Sequence, residues 1–386
     1  MRRCSVCVIP DTRPDTQFEG GICSACRSYD ARPAIDWAAR RRELELLLER
    51  GRNGTGYDCI VPSSGGKDSH WQALQLIAMG ARPLLVTATT CHLTGIGRLN
   101  IENLKRYATT IEVSPNKRVR ALLNRFGLET VGDVSWPEHA SIFTTPMRMA
   151  VALGIPLVFY GENPQNQYGG PAGSEEAKQM TARWVSEFGG FLGLRPADCA
   201  GHAGITMRDM ADYQMPDLGE IKTHAPHYEP GMGPGILTTI RPAIEAHFLG
   251  QYLPWDSHEN ARQAAAAGMV QVLPGDANWW AHENLDNAQT GLHDHGMYRK
   301  YGFGRLAAQV AVDIRTGRMT REKGLELVRW RDGAFPKVYM GTPIEEVLER
   351  IGVTPAGLMN TLERFTTWEL FEDEAVDGRP ILKEDA

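Results

Sequence analysis

The chain has 386 residues, 42% hydrophobic and 23% charged, which excludes general disorder and collagen-like repetition and predicts more than one packed unit. A formal net charge of -6 excludes a broad basic surface and argues against nucleic-acid binding. No apolar run is long enough to span a membrane and Met1-Arg2-Arg3-Cys4-Ser5 lacks the look of a signal peptide, so a cytoplasmic protein with no membrane partner is expected.

Four of the seven cysteines stand at Cys4, Cys7, Cys23 and Cys26, two Cys-x-x-Cys pairs with fifteen residues between them. That spacing lets four thiolates converge tetrahedrally on Zn²⁺, whereas a redox dithiol needs only one such pair. Four protein ligands leave no open position, so the expected zinc is structural and supplies about 10 kcal/mol to a turn-rich segment with little apolar periodicity of its own. This predicts a zinc-binding knuckle over residues 1–35. A connecting helix is expected from Ile35 to Glu49, with Leu44, Leu47 and Leu48 on one side and Gly51 as the stop. The glycine-containing stretch 53–56 reads as flexible.

Strand and helix patterns then alternate. Strands are predicted at Tyr57 to Pro62, Leu84 to Thr89, Thr110 to Val113 and Pro156 to Tyr160. Helices are predicted at Lys67 to Met79, Ile101 to Tyr107, Asn116 to Phe126 and Ser141 to Leu153. This alternation predicts an α/β domain over 36–170: a doubly wound, mostly parallel sheet whose ligands bind beyond the carboxyl ends of its strands. Residues 171–300, rich in Gly, Pro and His, read as a loop-rich substrate-binding or lid region. Residues 301–386 read as a helical C-terminal region, with Thr342-Pro343-Ile344-Glu345 as a helix start and a short acidic tail.

The junction of the first strand and its helix reads Ser64-Gly65-Gly66-Lys67-Asp68-Ser69. Paired glycines let backbone N–H groups turn inward, the helix N-terminus adds positive potential, and the Ser64 and Ser69 hydroxyls can bind phosphate oxygens. The result is an anion cradle without the spacing of the G-x-x-x-x-G-K-[ST] loop.

Ser64 to Ser69 resembles the S-G-G-x-D-S signature of the PP-loop ATP pyrophosphatases, of the adenine nucleotide alpha hydrolase-like fold type. Together with the knuckles, Asp11-Thr12-Arg13-Pro14, Ile35-Asp36-Trp37, Gly161-Glu162-Asn163-Pro164, Tyr168-Gly169-Gly170, Lys300-Tyr301-Gly302-Phe303-Gly304-Arg305 and Thr320-Arg321-Glu322, it resembles one subfamily, the N-acetyl sugar amidotransferases. The resemblance spans nearly the whole chain and thins between about Ala172 and Leu249.

It implies that Ser64, Gly65, Gly66, Lys67, Asp68 and Ser69 hold the pyrophosphate portion of ATP and that Asp68 also reaches Mg²⁺. It places the backbone of Val86 and Thr87 beside adenine, and Gly161 and Glu162 over the cradle, making Lys67, Asp68 and Glu162 the catalytic candidates. Gln167 stands where the resemblance leads one to expect an acid near Tyr168. The implied reaction converts the acetamido group of a nucleotide-linked sugar, or sugar acid, to an acetamidino group in surface polysaccharide (lipopolysaccharide, O-antigen) biosynthesis. Adenylation turns the amide oxygen into a leaving group, and ammonia comes from a separate glutaminase subunit, because Cys59, Cys91 and Cys199 lack a nucleophile context. Asn163, Lys300 and Arg305 are candidates for substrate contacts. Trp279 and Trp280 suit either base stacking or core packing, and His293-Asp294-His295 either a proton relay or a structural role. Two alternatives share the motifs: a PP-loop tRNA-thiolating enzyme, which needs reactive cysteines and a basic face, and a non-catalytic zinc and ATP-binding module.

Overall fold

The computed structural model describes residues 1–14, 16–52, 56–170, 174–229, 233–241 and 243–383. Asn53 to Thr55 of the expected flexible stretch, Pro171 and Ala172, Gly231 and Met232 of the glycine-rich run, and Glu384 and Asp385 of the acidic tail lie outside them.

Five strands form the central sheet: β1 (Cys59–Pro62), β2 (Pro83–Ala88), β3 (Thr110–Val113), β4 (Leu157–Tyr160) and β5 (Glu245–Phe248). Their order is β3-β2-β1-β4-β5 and every pairing is parallel. The central strands read as near-continuous apolar runs because both faces are covered. Ile60, Leu84, Val86 and Val158 face one apolar cluster, shared with α4 (Lys117–Val131) and α5 (Trp136–Leu153). Cys59, Val61, Leu85, Leu157 and Phe159 face the other, shared with α1 (Trp37–Gly51) and α2 (Lys67–Ala78). Strand periodicity of two thus sends alternate residues to opposite helical layers.

The helix boundaries have local causes. Asp36 caps α1 by accepting from the backbone nitrogen of Ala39. Thr94 caps α3 (Gly95–Leu104), which starts earlier than the sequence suggests because Gly95 and Gly97 hide its pattern. Asn116 caps α4, which runs on past Phe126 until Gly132 adopts a left-handed conformation. α5 starts at Trp136 rather than Ser141, with Pro137 in its first turn and Pro146 inside.

Residues 171–300, expected to be loop-rich, also contribute regular structure: β5 lies within them and pairs along β4, while Ile221–Glu229 and Gly233–Arg241 form an antiparallel hairpin. Ile244 and Ala246 bury into the sheet layer, so tertiary packing makes a strand where the Gly- and His-rich surroundings mask one. Thr342–Pro343 is also a strand, paired with Val338–Tyr339, so Pro343 takes the N-cap place without a side-chain cap.

Apart from that short strand pair the C-terminal region is mainly helical: α7 (Thr290–Tyr301), α8 (Arg305–Arg315), α9 (Arg321–Arg331), α10 (Ile344–Ile351) and α11 (Pro355–Arg364), with α6 (Ser257–Ala266) preceding them. It closes on a hairpin, Phe371–Val376 with Arg379–Leu382, rather than on helix alone. Among the described residues no helix is long and apolar enough to cross a membrane.

Candidate functional site

Strand order reverses between β1 and β4, the neighbours at the middle of the sheet. A doubly wound sheet opens a crevice at this point, beyond the strand carboxyl ends. Ser63 to Gly66 leave β1 there, and Gly161 and Glu162 leave β4. Gly65 has φ +83°, and a Cβ on it would stand 2.9 Å from the backbone nitrogen of Ile101, so only glycine fits between the loop and α3. Gly66 is the N-cap of α2, which leaves the first N–H groups of the helix without an intrahelical acceptor.

Charge is concentrated at this helix start. Lys67 Nζ, almost fully buried, bonds Asp68 Oδ2 at 2.9 Å and Glu283 Oε1 at 2.8 Å. Burial alone would push the lysine down, but Asp68 and Glu283 outweigh it and hold it above its ordinary value. Burial likewise opposes ionisation of Glu283, yet Lys67 and Arg305 pull its carboxyl down to about 2. Asp68 is held above the ordinary carboxylate value by desolvation and by Glu283, against the pull of Lys67. Glu162 is raised by desolvation despite its 2.9 Å bond to Arg32 Nη2, and its field reaches Asp68 and Lys67.

Several polar atoms near the cradle lack a protein partner while buried: Ser63 Oγ, Asp68 Oδ1, Gln72 Oε1 and Thr87 Oγ1. Buried polar groups are costly when unsatisfied, so this set fits a polar, phosphate-bearing ligand, with Asp68 Oδ1 free for a divalent cation. Other expected contacts are differently placed. Ser64 is exposed at the loop, whereas Ser69 Oγ donates to the Gly66 carbonyl at 3.0 Å. The Val86 carbonyl accepts from the Ser63 backbone nitrogen at 2.9 Å. The Gly161 carbonyl accepts from Gly250. Asn163 is buried, donating to the Ser174 carbonyl and accepting from the Gln165 backbone nitrogen.

Lys300 and Arg305 are not free cations. Lys300 Nζ donates to the Val131 carbonyl, and Arg305 pairs with Asp294 at 3.1 Å. His293, Asp294 and His295 diverge: His293 Nδ1 meets Asp133 Oδ1 at 2.8 Å, while His295 Nδ1 meets the Gly333 carbonyl at 2.9 Å. They form no relay with one another. The ligand atoms of Asp133, His139 and His293 gather within 4.8 Å of one another. Trp279 and Trp280 both donate their indole N–H to Asp313 Oδ2, which makes them anchors of the interior.

Glu283 and Arg32 escape sequence reading because neither sits in a periodic segment or beside the glycine loop. The one clue was composition, an acid in the dense run Trp279-Trp280-Ala281-His282-Glu283. Gln309 of α8 supports it, donating to Glu283 Oε2 at 3.2 Å. His282, stacked on Trp280 at 5.1 Å, has a buried Nε2 without partner, and burial with Lys67 nearby drives its pKa down to about 4.

The four N-terminal cysteines are buried and converge. Cys4 to Cys26 and Cys7 to Cys23 are each 3.8 Å apart, sulfur to sulfur. A tetrahedron with Zn–S bonds of about 2.3 Å has edges of about 3.8 Å, so the thiols fit zinc. The Cys23 backbone N–H points to Cys4 Sγ at 3.3 Å, and Arg321 Nε donates to the Cys4 and Cys7 carbonyls. The segment does have a core to lean on: Val8 and Ile9 pack with Phe303, Leu306, Val310 and Val328.

Residues 278–381 match the family described as LPS biosynthesis protein WbpG-like, C-terminal domain. No curated protein matches the chain. Among solved structures, NMN synthetase from Francisella tularensis aligns with 14% identity over 45% of this chain and 78% of that one, at a TM-score of 0.27. The family match covers Glu283, Arg305 and Gln309 and is consistent with the amidotransferase resemblance carried by the N-terminal motifs. Residues 278–381 are thus similar to the WbpG-like C-terminal domains of LPS biosynthesis proteins.

Proposed function

We propose that the protein is an ATP-dependent, AMP-forming amidotransferase of LPS biosynthesis that converts the acetamido group of a nucleotide-linked sugar to an acetamidino group. The observation that carries this reading is the meeting of Lys67, Asp68, Glu162 and Glu283 around a glycine-made helix start at the reversal of strand order. A buried lysine among three carboxylates beside open N–H donors suits a reaction in which phosphate charge builds and leaves with Mg²⁺. The LPS description of the matched family supports a sugar-linked substrate.

In this reading the Gly65–Gly66 backbone and Lys67 would hold the β- and γ-phosphates, and Asp68 with Glu162 would hold Mg²⁺, which would offset the charge of the departing pyrophosphate. The substrate amide oxygen attacks the α-phosphorus and pyrophosphate leaves. Ammonia then adds to the activated carbon, the added nitrogen gives up one proton to solvent, the C–O bond breaks, and AMP departs carrying the former amide oxygen, leaving an amidinium. Cys4, Cys7, Cys23 and Cys26 would hold zinc in a closed structural site, away from these steps. Ammonia is supplied by a separate glutaminase: among the described residues, Cys59 and Cys199 are buried, Cys91 is half-buried, and burial raises all three.

The test is turnover of UDP-linked N-acetyl sugars with ATP, Mg²⁺ and ammonium, followed by nucleotide analysis and mass spectrometry. AMP, pyrophosphate and a product in which NH replaces O are expected. With ¹⁸O in the substrate amide, the label should appear in AMP. Formation of ADP and phosphate, or efficient use of glutamine by the isolated chain, would refute the mechanism.

A further inference from the structure

The proposed substrate carries phosphate charge of its own, and the cations first expected to meet it, Lys300 and Arg305, are engaged with a carbonyl and a carboxylate. Uncompensated positive charge lies elsewhere. A cavity of about 520 Å³ opens beyond the carboxyl end of β2, and its lining includes Cys91, Lys117, Arg118, Arg125, Glu349 and Arg350 beside uncharged residues. Four of the charged side chains in that lining are cationic and one, Glu349, is acidic.

Their partners show how little of that charge is cancelled. Arg125 alone has an ion pair, with Glu129 at 2.8 Å. Lys117 and Arg118 are exposed in the first turn of α4 and make no ion pair among the described residues, although the Arg118 charge helps lower the Asp209 carboxyl. Arg350 reaches inward, but both its Nη atoms donate to neutral oxygens, Asn124 Oδ1 and Gln289 Oε1. Its Nε is buried with no acceptor, as is the Thr90 hydroxyl and His92 Nδ1 on either side of Cys91. Protein interiors leave few such groups unsatisfied unless a ligand or water completes them. The N-terminal end of α4 adds the positive end of its dipole.

We propose that this cavity is the binding site for the phosphate groups of the nucleotide-linked substrate, with Arg350 as the inner anchor and Lys117 and Arg118 as the outer cations. Arg350 suits the inner place because a guanidinium presents a fixed fork of donors, while Lys117 and Arg118 at the rim attract and orient the anion. The site lies on the same carboxyl edge of the sheet as the cradle, after the neighbouring strand, so a substrate anchored here can extend toward the ATP phosphates. The assignment rests on the functional reading above.

Phosphate charge is common to ATP and to a nucleotide-linked sugar, so binding must be measured for both. Isothermal titration with UDP, and separately with a non-hydrolysable ATP analogue and Mg²⁺, should be run on the full chain and on Lys117→Glu/Arg118→Glu and Arg350→Gln. The first variant changes only exposed side chains; the second also disturbs packing against Asn124 and Gln289, so its fold is checked by circular dichroism. The expected result is UDP binding by the native chain, weakened by about tenfold or more in each variant, with ATP-analogue affinity unchanged. Absence of UDP binding by the native chain, or equal UDP affinity in the rim variant, overturns the proposal. Parallel loss of both ligands assigns the cavity to ATP and also overturns it. A chain that binds UDP as expected yet forms no AMP would instead defeat the amidotransferase reading while leaving this site in place.

Discussion

The cysteine knuckle and the glycine cradle are both made by short turns that gather reactive side chains, yet they finish differently. In the knuckle all four sulfurs face one another, and the Cys23 N–H and Arg321 satisfy the groups around them. In the cradle the loop and helix start face outward into the crevice, with Asp68 Oδ1 and Ser63 Oγ left without partners. A closed donor set stores its interaction energy in folding, whereas an open one holds donors ready for a ligand. One helix touches both: α8 presents Leu306 and Val310 to the knuckle and Gln309 to Glu283. The contrast predicts where loss of a residue reads out as unfolding and where it reads out as lost rate.

Cys23→Ser should give the largest effect. With zinc held by the four thiols as their geometry fits, removing one of them should forfeit much of a metal contribution on the order of 10 kcal/mol and loosen the Phe303–Val310 cluster that the knuckle packs against. Zinc content and thermal unfolding should fall together, and a metal-free variant with native stability would erase the contrast. Asp68→Ala should act mainly on rate, lowering AMP formation by about 10²-fold or more while the melting temperature falls far less than in Cys23→Ser, since Lys67 keeps Glu283. Comparable loss of stability instead of rate would make Asp68 a structural partner of Lys67.

Glu283→Gln sharpens the comparison, since it removes a carboxylate that belongs to both packing and site. Leaving Lys67 with one acidic partner should cost on the order of 1–3 kcal/mol and lower the rate. The acid limb of stability should change with it. Because the folded carboxyl sits at about 2 against an ordinary 4.5, its contribution is complete above pH 4.5 and lost as the pH falls toward 2. Lys67 has the opposite limb: its stabilisation is complete below 10.5 and lost as the pH climbs above that value. Urea unfolding across pH should show both limbs in the native chain and a shallower acid limb in the variant.

The smallest effect is expected from His282. With its pKa near 4 in the fold and 6.5 outside it, this ring is neutral at pH 7, and the unfolded chain takes up its proton first on acidification. Stability should therefore decline modestly as the pH falls from 6.5 to 4, and His282→Gln should flatten that decline. A ring that titrates near 6.5 by NMR would show that Lys67 and burial do not reach it.

Local chemistry alone determined a good part of this protein. Cysteine spacing located the four-thiol cluster, the strand-like run 57–62 before Ser64-Gly65-Gly66 located a glycine turn at a helix start, and the strand and helix alternation up to Tyr160 foretold the parallel sheet, because each signal lies within a few neighbouring residues. Tertiary structure decided what depends on distant segments. β5 is a strand because β4 offers it an open edge, although its own four residues stand in a Gly- and His-rich region. Glu283 and Arg32 reach the cradle from 216 residues after Lys67 and 130 before Glu162, separations over which no sequence period carries information. Lys300 and Arg305 sit in a suggestive motif yet are spent on Val131 and Asp294, while Lys117, Arg118 and Arg350 meet at one cavity only through folding. Charge can be counted along a chain, but whether a cation is paired or free is set by what the fold brings within a few ångströms of it.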